Sequence, residues 1–404
     1  MNKDKPITAG IIGASSESLY AISEAGKKGI RTVAVDGNPA APGLAHADEG
    51  HTVDLRDTSA VFDFFDNHPV DFLLPVPVGR ILTTAGAVND RYGLPGVSRR
   101  AAELATDKWV FHTALAAQGL RKAEAVLFNK KEEISGISGM EFPVVVKPRF
   151  GSGSRAVKVY RSFADLEEDM ADVTSFDEDY IAESCVPGTE YGVDAFIADG
   201  SFRMILLREK IITPEPYRQC VGYFAIEKND STEALFGRVN GLLSAAVKQL
   251  GLNNCLMHAD VMDDGNESFI IELSPRPSGH YLHNYFTRYA TGFDMLSEYI
   301  AYATAVSAGG SYELSYTYSA ENMMIRYFDL LEGVVESLPD PAEIESMDSV
   351  LCYNCYMKEG DRLGKVIDGG SVMGRGFYVI KAPSIAEAMK ISREIESKIV
   401  IKEC

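Results

Sequence analysis

Positive charge is in short supply in this 404-residue chain: 39 Lys and Arg stand against 58 Asp and Glu, a formal net charge of −19. An acidic surface of that kind repels phosphate backbones and anionic headgroups, and no basic patch is visible to offset it, so neither nucleic acid nor a membrane is expected as a partner. Cysteine is scarce as well, six residues spread along the chain, which excludes a dense disulfide framework. The one close pair, Cys352 and Cys355 in SVLCYNCYMK, lies in a strand-like run whose period of two points the thiols to opposite faces. No second pair follows at zinc-ribbon spacing. Long apolar runs are also missing, and the early stretch ITAGIIGA is too short and too poorly flanked for a signal peptide or a membrane span. A cytoplasmic protein acting on small molecules is the expectation. The composition, 46% hydrophobic and 24% charged, is that of an ordinary folded chain, and at roughly 150 residues per domain the length suggests two or three domains.

Residues 1–105 alternate strand and helix signals: ITAGIIGA, SLYAISEAGKKG, RTVAVD, a loop GNPAAPGLAHA, the helix-like SAVFDFFDNH and the apolar VDFLLPVPVG. The pattern predicts a parallel, doubly wound βαβ domain. Residues 98–120 read as helical, with Asp107 near the start of KWVFHTALAAQ and Gly119 as a C-cap. Between about 142 and 200 short strands and turns predict an α+β unit. A long helix, TEALFGRVNGLLSAAVKQLG, then leads into a β-hairpin, LMHADVM and FIIELSPRPSG around DDGNES, and an α+β segment from 321 to 404 closes the chain.

The hairpin carries the sharpest signal. Pairing symmetric about Asn266 sets Asp260 opposite Glu272, with Cβ atoms about 5 Å apart. Two carboxylates so placed repel, and a hard divalent cation such as Mg²⁺ would make the arrangement favourable; a solvated hairpin face is the competing reading. His258 shares the face of Asp260, and Arg276 follows Glu272 by four residues. In FPVVVKPRFGSGSRAVKVY, Lys147 ends a run of three valines, its stem packed and its ammonium aimed beyond the strand. Gly151, Ser152, Gly153 and Ser154 follow and could turn N–H groups toward an anion, or serve as an ordinary Gly/Ser turn. The Walker signature GxxxxGK[ST] is absent and the loop runs into a strand, so any phosphate would lie under a hairpin flap. Glu183 and Glu190 flank the Pro187-Gly188 turn, where carboxylates facing a cleft can accept from an amino group or ribose hydroxyls. Gly10, Gly13 and Asp36 imitate a dinucleotide fold, but GxGxxG is absent.

Taken in order, Thr106-Asp107-Lys108, Lys147 before the Gly/Ser flap, Glu183-x-x-Val186-x-x-x-Glu190, Asp260 and the run Glu272-Leu273-Ser274-Pro275-Arg276-Pro277-Ser278-Gly279 resemble the ATP-grasp superfamily over nearly the whole chain. The likeness is to its carboxylate–amine ligase branch, which holds amino-acid (dipeptide) ligases and purine-pathway carboxylases. The resemblance implies a pre-ATP-grasp βαβ domain over 1–105, an ATP-grasp domain over 106–320 with a mobile lid at about 123–190, and a C-terminal segment, 321–404, that completes the module. It implies ATP with Mg²⁺ or Mn²⁺ as cofactors and small carboxylate and amine substrates, joined through an acyl phosphate with release of ADP and phosphate. By position, Lys108 and Lys147 would hold phosphates under the Gly151–Ser154 flap. Glu183 and the Val186 backbone would hold adenine and Glu190 the ribose. Asp260 and Glu272 would bind metal, with Ser274 standing where many members carry a metal-binding Asn. Arg276 would steady the acyl phosphate, and His258 stands where some relatives have Arg. Arg208, Lys210 and Arg218 are candidates to anchor a second carboxylate. A homodimer is the default assembly. A noncatalytic ATP sensor and an NAD-dependent oxidoreductase are the competing functions.

Overall fold

The structure, a computed structural model, describes residues 6–151, 156–171, 173, 176–215 and 218–402. The early apolar runs form the parallel strands Thr8–Ile12 and Arg31–Asp36, with Phe72–Leu73 on one edge of their sheet and Glu49–Thr52 on the other. Alternation sends Ile11 to one face, among helices Leu19–Lys27 and Met295–Ser307, and Ile12 to the other, among Thr58–Asn67 and Leu82–Tyr92. Helices on both faces make this the doubly wound layer expected.

Three local differences have physical causes. The stretch read as loop holds a short helix, Pro42–His46, opened by proline at its first position. The strand Glu49–Thr52 is hidden in the sequence because an edge strand of alternating exposure can be polar. The run VDFLLPVPVG yields only Phe72–Leu73, since Pro75 and Pro77 lack the N–H a longer ladder needs. Residues 98–120 form two helices, Arg99–Thr106 and Lys108–Ala116. They break at extended Asp107, whose carboxylate caps the second by accepting from the N–H groups of Trp109 and Val110. Gly119, at φ +69°, closes that helix, its N–H bonded to Ala116 and that of Leu120 to Leu115.

The α+β unit is a four-stranded antiparallel sheet in the order Ala125–Phe128, Tyr180–Ser184, Val144–Pro148, Lys158–Tyr160, with its own core around Phe128, Ile137, Val144 and Leu166. It forms the lid. The third layer is an eight-stranded antiparallel sheet: Ser268–Ser274, Cys255–Asp263, Thr189–Ala198, Ser201–Ile212, Cys220–Ala225, Met323–Tyr327, Gly376–Lys381, Val350–Cys355. Its last three strands lie beyond residue 321, so the C-terminal segment is built into the same sheet as the hairpin. Helix Glu233–Leu250, capped by left-handed Gly251, covers one face of it. Cys352 and Cys355 join cores on opposite faces of their strand. Among the described residues no helix is long and apolar enough to cross a membrane.

Candidate active site

A cleft of about 1430 Å³ opens where the lid, the eight-stranded sheet and the first domain meet. Its lid wall carries Val145 and Lys147, its sheet wall Asp260 and Met262, and its first-domain wall Val78 and Arg80. The hairpin forms, but near its turn Asp263 faces Ser268, one residue short of symmetry about Asn266, and a bulge restores the expected pairing further along. Asp260 is the register partner of Glu272, and His258 that of Ser274, with a bulge just after Asp260. Asp260, Glu272, Ser274 and Arg276 all line the cleft. His258 is not among the residues lining it; it lies near Arg276 and the buried Asp194–Arg208 pair, and burial with the nearby guanidinium lowers its pKa. Its place there is set by the strand Thr189–Ala198, in which Asp194 is its register partner.

At the lid end, Lys147 is 9% and Glu183 5% exposed, and the two form an ion pair. The other Glu183 oxygen takes a guanidinium N–H from Arg121 at 2.7 Å and lies 3.3 Å from His112 Nδ1. Burial favours the neutral acid, but Lys147, Arg121 and His112 outweigh it and hold the carboxyl well below the usual carboxylate range. Both Glu183 oxygens are thus engaged by cations of the protein. Arg121 and His112 were missed in the sequence; Arg121 also donates to the carbonyls of Ile270 and Ile271, at 2.7 and 3.1 Å, which ties the lid to the hairpin. Lys108, at the helix start set by Asp107, reaches the Gly151 carbonyl at 2.9 Å, and burial lowers its pKa. Arg149 grips Asp107 at 2.7 and 2.9 Å and Asp179 at 2.8 Å, fastening helix and flap strand together. Ser152, Gly153 and Ser154 lie outside the described residues. Ser184 and Cys185 donate to the carbonyls of Glu124 and Pro143, which sets Val186 at the cleft wall.

Lys210 also lines the cleft. Its ammonium is 2.6 Å from both Glu190 and Asp260, and these two carboxylates overcome its burial and raise its pKa. Arg218 lies 3.7 Å from Glu190. Glu190 is thus paired with cations of the protein, and Lys210 with two carboxylates of the chain. Arg208 is removed from the cleft altogether: it is 1% exposed and paired with fully buried Asp194 at 2.6 Å.

Arg276, like Lys108, is a cleft cation that stands outside the ion pairs among the described residues. Its Nη1 donates to the Pro277 carbonyl at 2.9 Å, it makes no ion pair among the described residues, and burial lowers its pKa against the pull of Glu272 and Glu17. Glu17, also missed in the sequence, comes from the first βα turn. One oxygen accepts the His280 N–H at 3.0 Å, the other is buried with no partner, and burial raises its pKa. Consecutive left-handed residues, His280 at φ +61° and Tyr281 at φ +59°, aim that N–H. Asp36, the dinucleotide-like acid, is consumed by its own loop, accepting the N–H of Ala14 at 2.6 Å and of Asn38 at 2.8 Å.

Residues 140–284 match the ATP-grasp domain family. A formate-dependent phosphoribosylglycinamide formyltransferase of Bacillus subtilis (strain 168) is 29% identical over 160 residues, 39% of this chain and 41% of that protein, so the chain matches about two fifths of that relative's length. The crystal structure of an L-amino acid ligase from Bacillus licheniformis superposes with a TM-score of 0.79 at 17% identity, covering 100% of both chains. An N5-carboxyaminoimidazole synthetase from Staphylococcus aureus complexed with ADP gives 0.71 at 15% identity, covering 98% of this chain and 99% of that one. At these identities the two structural likenesses speak for the fold.

Proposed function

With an ATP-grasp domain at residues 140–284 the chain belongs to the ATP-grasp superfamily, and from that premise we propose that it is an ATP-dependent ligase that joins a small carboxylate to an amine through an acyl phosphate, releasing ADP and phosphate. The observation that carries this reading is Arg276. A half-buried guanidinium without an ion-pair partner among the described residues, on the same hairpin as two opposed carboxylates, is prepared for an anion whose charge grows during transfer.

The cleft fits ATP. Val145 and Val159 of the lid and Met262 and Ile271 of the hairpin give an apolar slot for a flat base, and the Val186 main chain borders it. Lys108 and Lys147 lie toward the phosphate end, with Glu183, Arg121 and His112 fixing Lys147. The donor set fits Mg²⁺ or Mn²⁺: Asp260 and Glu272 are cross-strand partners with hard oxygens, and Ser274 is the next cleft-facing oxygen on the same strand. When bound, Mg²⁺ supplies neutralisation of the phosphate oxygens. Lys210 holds Asp260 in place and offsets its charge. Lys108 and Lys147 orient the phosphates, Arg276 stabilises charge on the phosphoryl group as a substrate carboxylate attacks it, and the lid keeps water from the acyl phosphate until the amine displaces phosphate. Glu17 favours the charged form of Arg276 from the first domain.

Amino acids are the first substrate class to test, supported by the full-length likeness to an L-amino acid ligase. Pairs of amino acids are incubated with ATP and Mg²⁺, ADP is followed by chromatography and products by mass. ADP release that requires both a carboxylate and an amine supports the ligase. Nucleotide binding without turnover across the panel supports a sensor.

A further inference from the structure

A second cluster of ligating side chains lies on the first domain, apart from the cleft. Thr58 opens helix Thr58–Asn67 at the cleft wall, and His68 follows the other end, about 15 Å further on. There His68 meets the edge strand Glu49–Thr52, on which Glu49 and His51, two residues apart, share a face. Glu49 Oε1 is 2.7 Å from His51 Nε2 and 3.1 Å from His68 Nε2, and the three ligand atoms lie within 4.8 Å of one another.

The hydrogen bonds around the cluster decide what it suits. His68 Nδ1 lies 2.9 Å from the Phe64 carbonyl, which only accepts, so Nδ1 carries the proton. A neutral His68 therefore turns the lone pair of Nε2 toward a carboxylate oxygen 3.1 Å away, which is repulsive unless a cation stands between them. Neighbouring groups hold these three side chains in place: the Phe64 carbonyl fixes the His68 tautomer, the Phe64 ring stacks on His68 at 4.2 Å and 10°, and Arg31 takes the other Glu49 oxygen.

We propose that Glu49 Oε1, His51 Nε2 and His68 Nε2 bind a divalent cation of the Zn²⁺ class, with water in the fourth position. Two imidazoles discriminate against Mg²⁺ and Ca²⁺, which take oxygen ligands, so this site and the hairpin carboxylates select different ions. The cation would staple the sheet edge to helix Thr58–Asn67, one end of which borders the cleft.

The test uses the full chain at about pH 8, above the imidazole range, with Mg²⁺ in excess to occupy the hairpin carboxylates. Zinc is added while the seven histidines are followed by long-range ¹H–¹⁵N correlation. The expected result is saturation at one equivalent, with the Nε2 resonances of His51 and His68 alone displaced, and a rise in melting temperature. Calorimetry should show that affinity falls by about tenfold or more in His51→Gln and in His68→Gln, each of which melts as a folded protein without zinc. Displacement of neither histidine, or a zinc isotherm unchanged in both variants, would overturn the site and leave an imidazolium–carboxylate pair in its place.

Discussion

Replacing Glu183 by Gln separates two roles for one residue. The substitution keeps shape and removes charge, leaving Lys147 and Arg121, both less than a tenth exposed, without their anion. Breaking a buried pair from one side costs about 3–5 kcal/mol. Lys147 borders the cleft, where water recovers part of the loss, and Arg121 keeps its two carbonyls, so the lower end, about 3 kcal/mol, is expected. The sign of the pH dependence follows from the direction of the shift. The folded pKa of Glu183 is depressed, so its contribution is present above the unfolded carboxylate value, about 4.3, and is lost as pH falls below that value. Melting curves of wild type and Glu183→Gln should therefore be well separated at neutral pH and converge in acid. Nucleotide affinity, read by calorimetry, should fall with stability because Lys147 loses its anchor. Had the carboxylate served only to accept an adenine amino group, Gln would still offer a carbonyl oxygen. Unchanged melting at neutral pH with unchanged nucleotide affinity would refute the positioning role.

Lys147→Ala should weaken ATP binding by roughly 1.5–3 kcal/mol, the worth of charge-assisted contacts, as measured by calorimetry. Glu272→Gln should keep or raise the melting temperature without metal, since it relieves cross-strand repulsion, and abolish Mg²⁺-dependent turnover. Lys210→Met removes the cation 2.6 Å from Asp260 and Glu190; it should lower the melting temperature without metal and tighten Mg²⁺ binding roughly tenfold, because two unneutralised carboxylates then attract the ion.

The parts of the fold legible in the sequence were those governed by period. Alternation along the hairpin placed Asp260 against Glu272, and the βαβ rhythm of the first domain followed from apolar runs long enough to bury both faces. The edge strand Glu49–Thr52 was hidden because pairing on one side leaves it polar, whereas the helix start read at Asp107 within 98–120 is where the second of two helices begins, because Asp107 is a better cap than interior residue. At the site, Lys108, Lys147, Asp260, Glu272 and Arg276 carry local cues: a helix start, a valine run, a hairpin. Arg121, His112 and Glu17 have none. They reach the site from residues 62, 71 and 259 positions away from the groups they meet, and only the packing of lid on hairpin and of first domain on the His280 turn brings them there. Glu183, Glu190 and Lys210 are each paired with opposite charge from elsewhere in the chain. A sequence shows a charge but not the opposite charge that already occupies it.

The fate of one oxygen atom tests the account most directly. A carboxylate labelled with ¹⁸O is supplied with the amine and ATP, nucleotides are separated by chromatography, and the released phosphate is weighed by mass spectrometry. Attack of the carboxylate on the γ-phosphorus beside Arg276, Asp260 and Glu272 predicts ADP and phosphate carrying one ¹⁸O for each amide formed. Release of AMP, or ADP with wholly unlabelled phosphate while amide forms, would contradict the acyl-phosphate route and the roles given to those three residues.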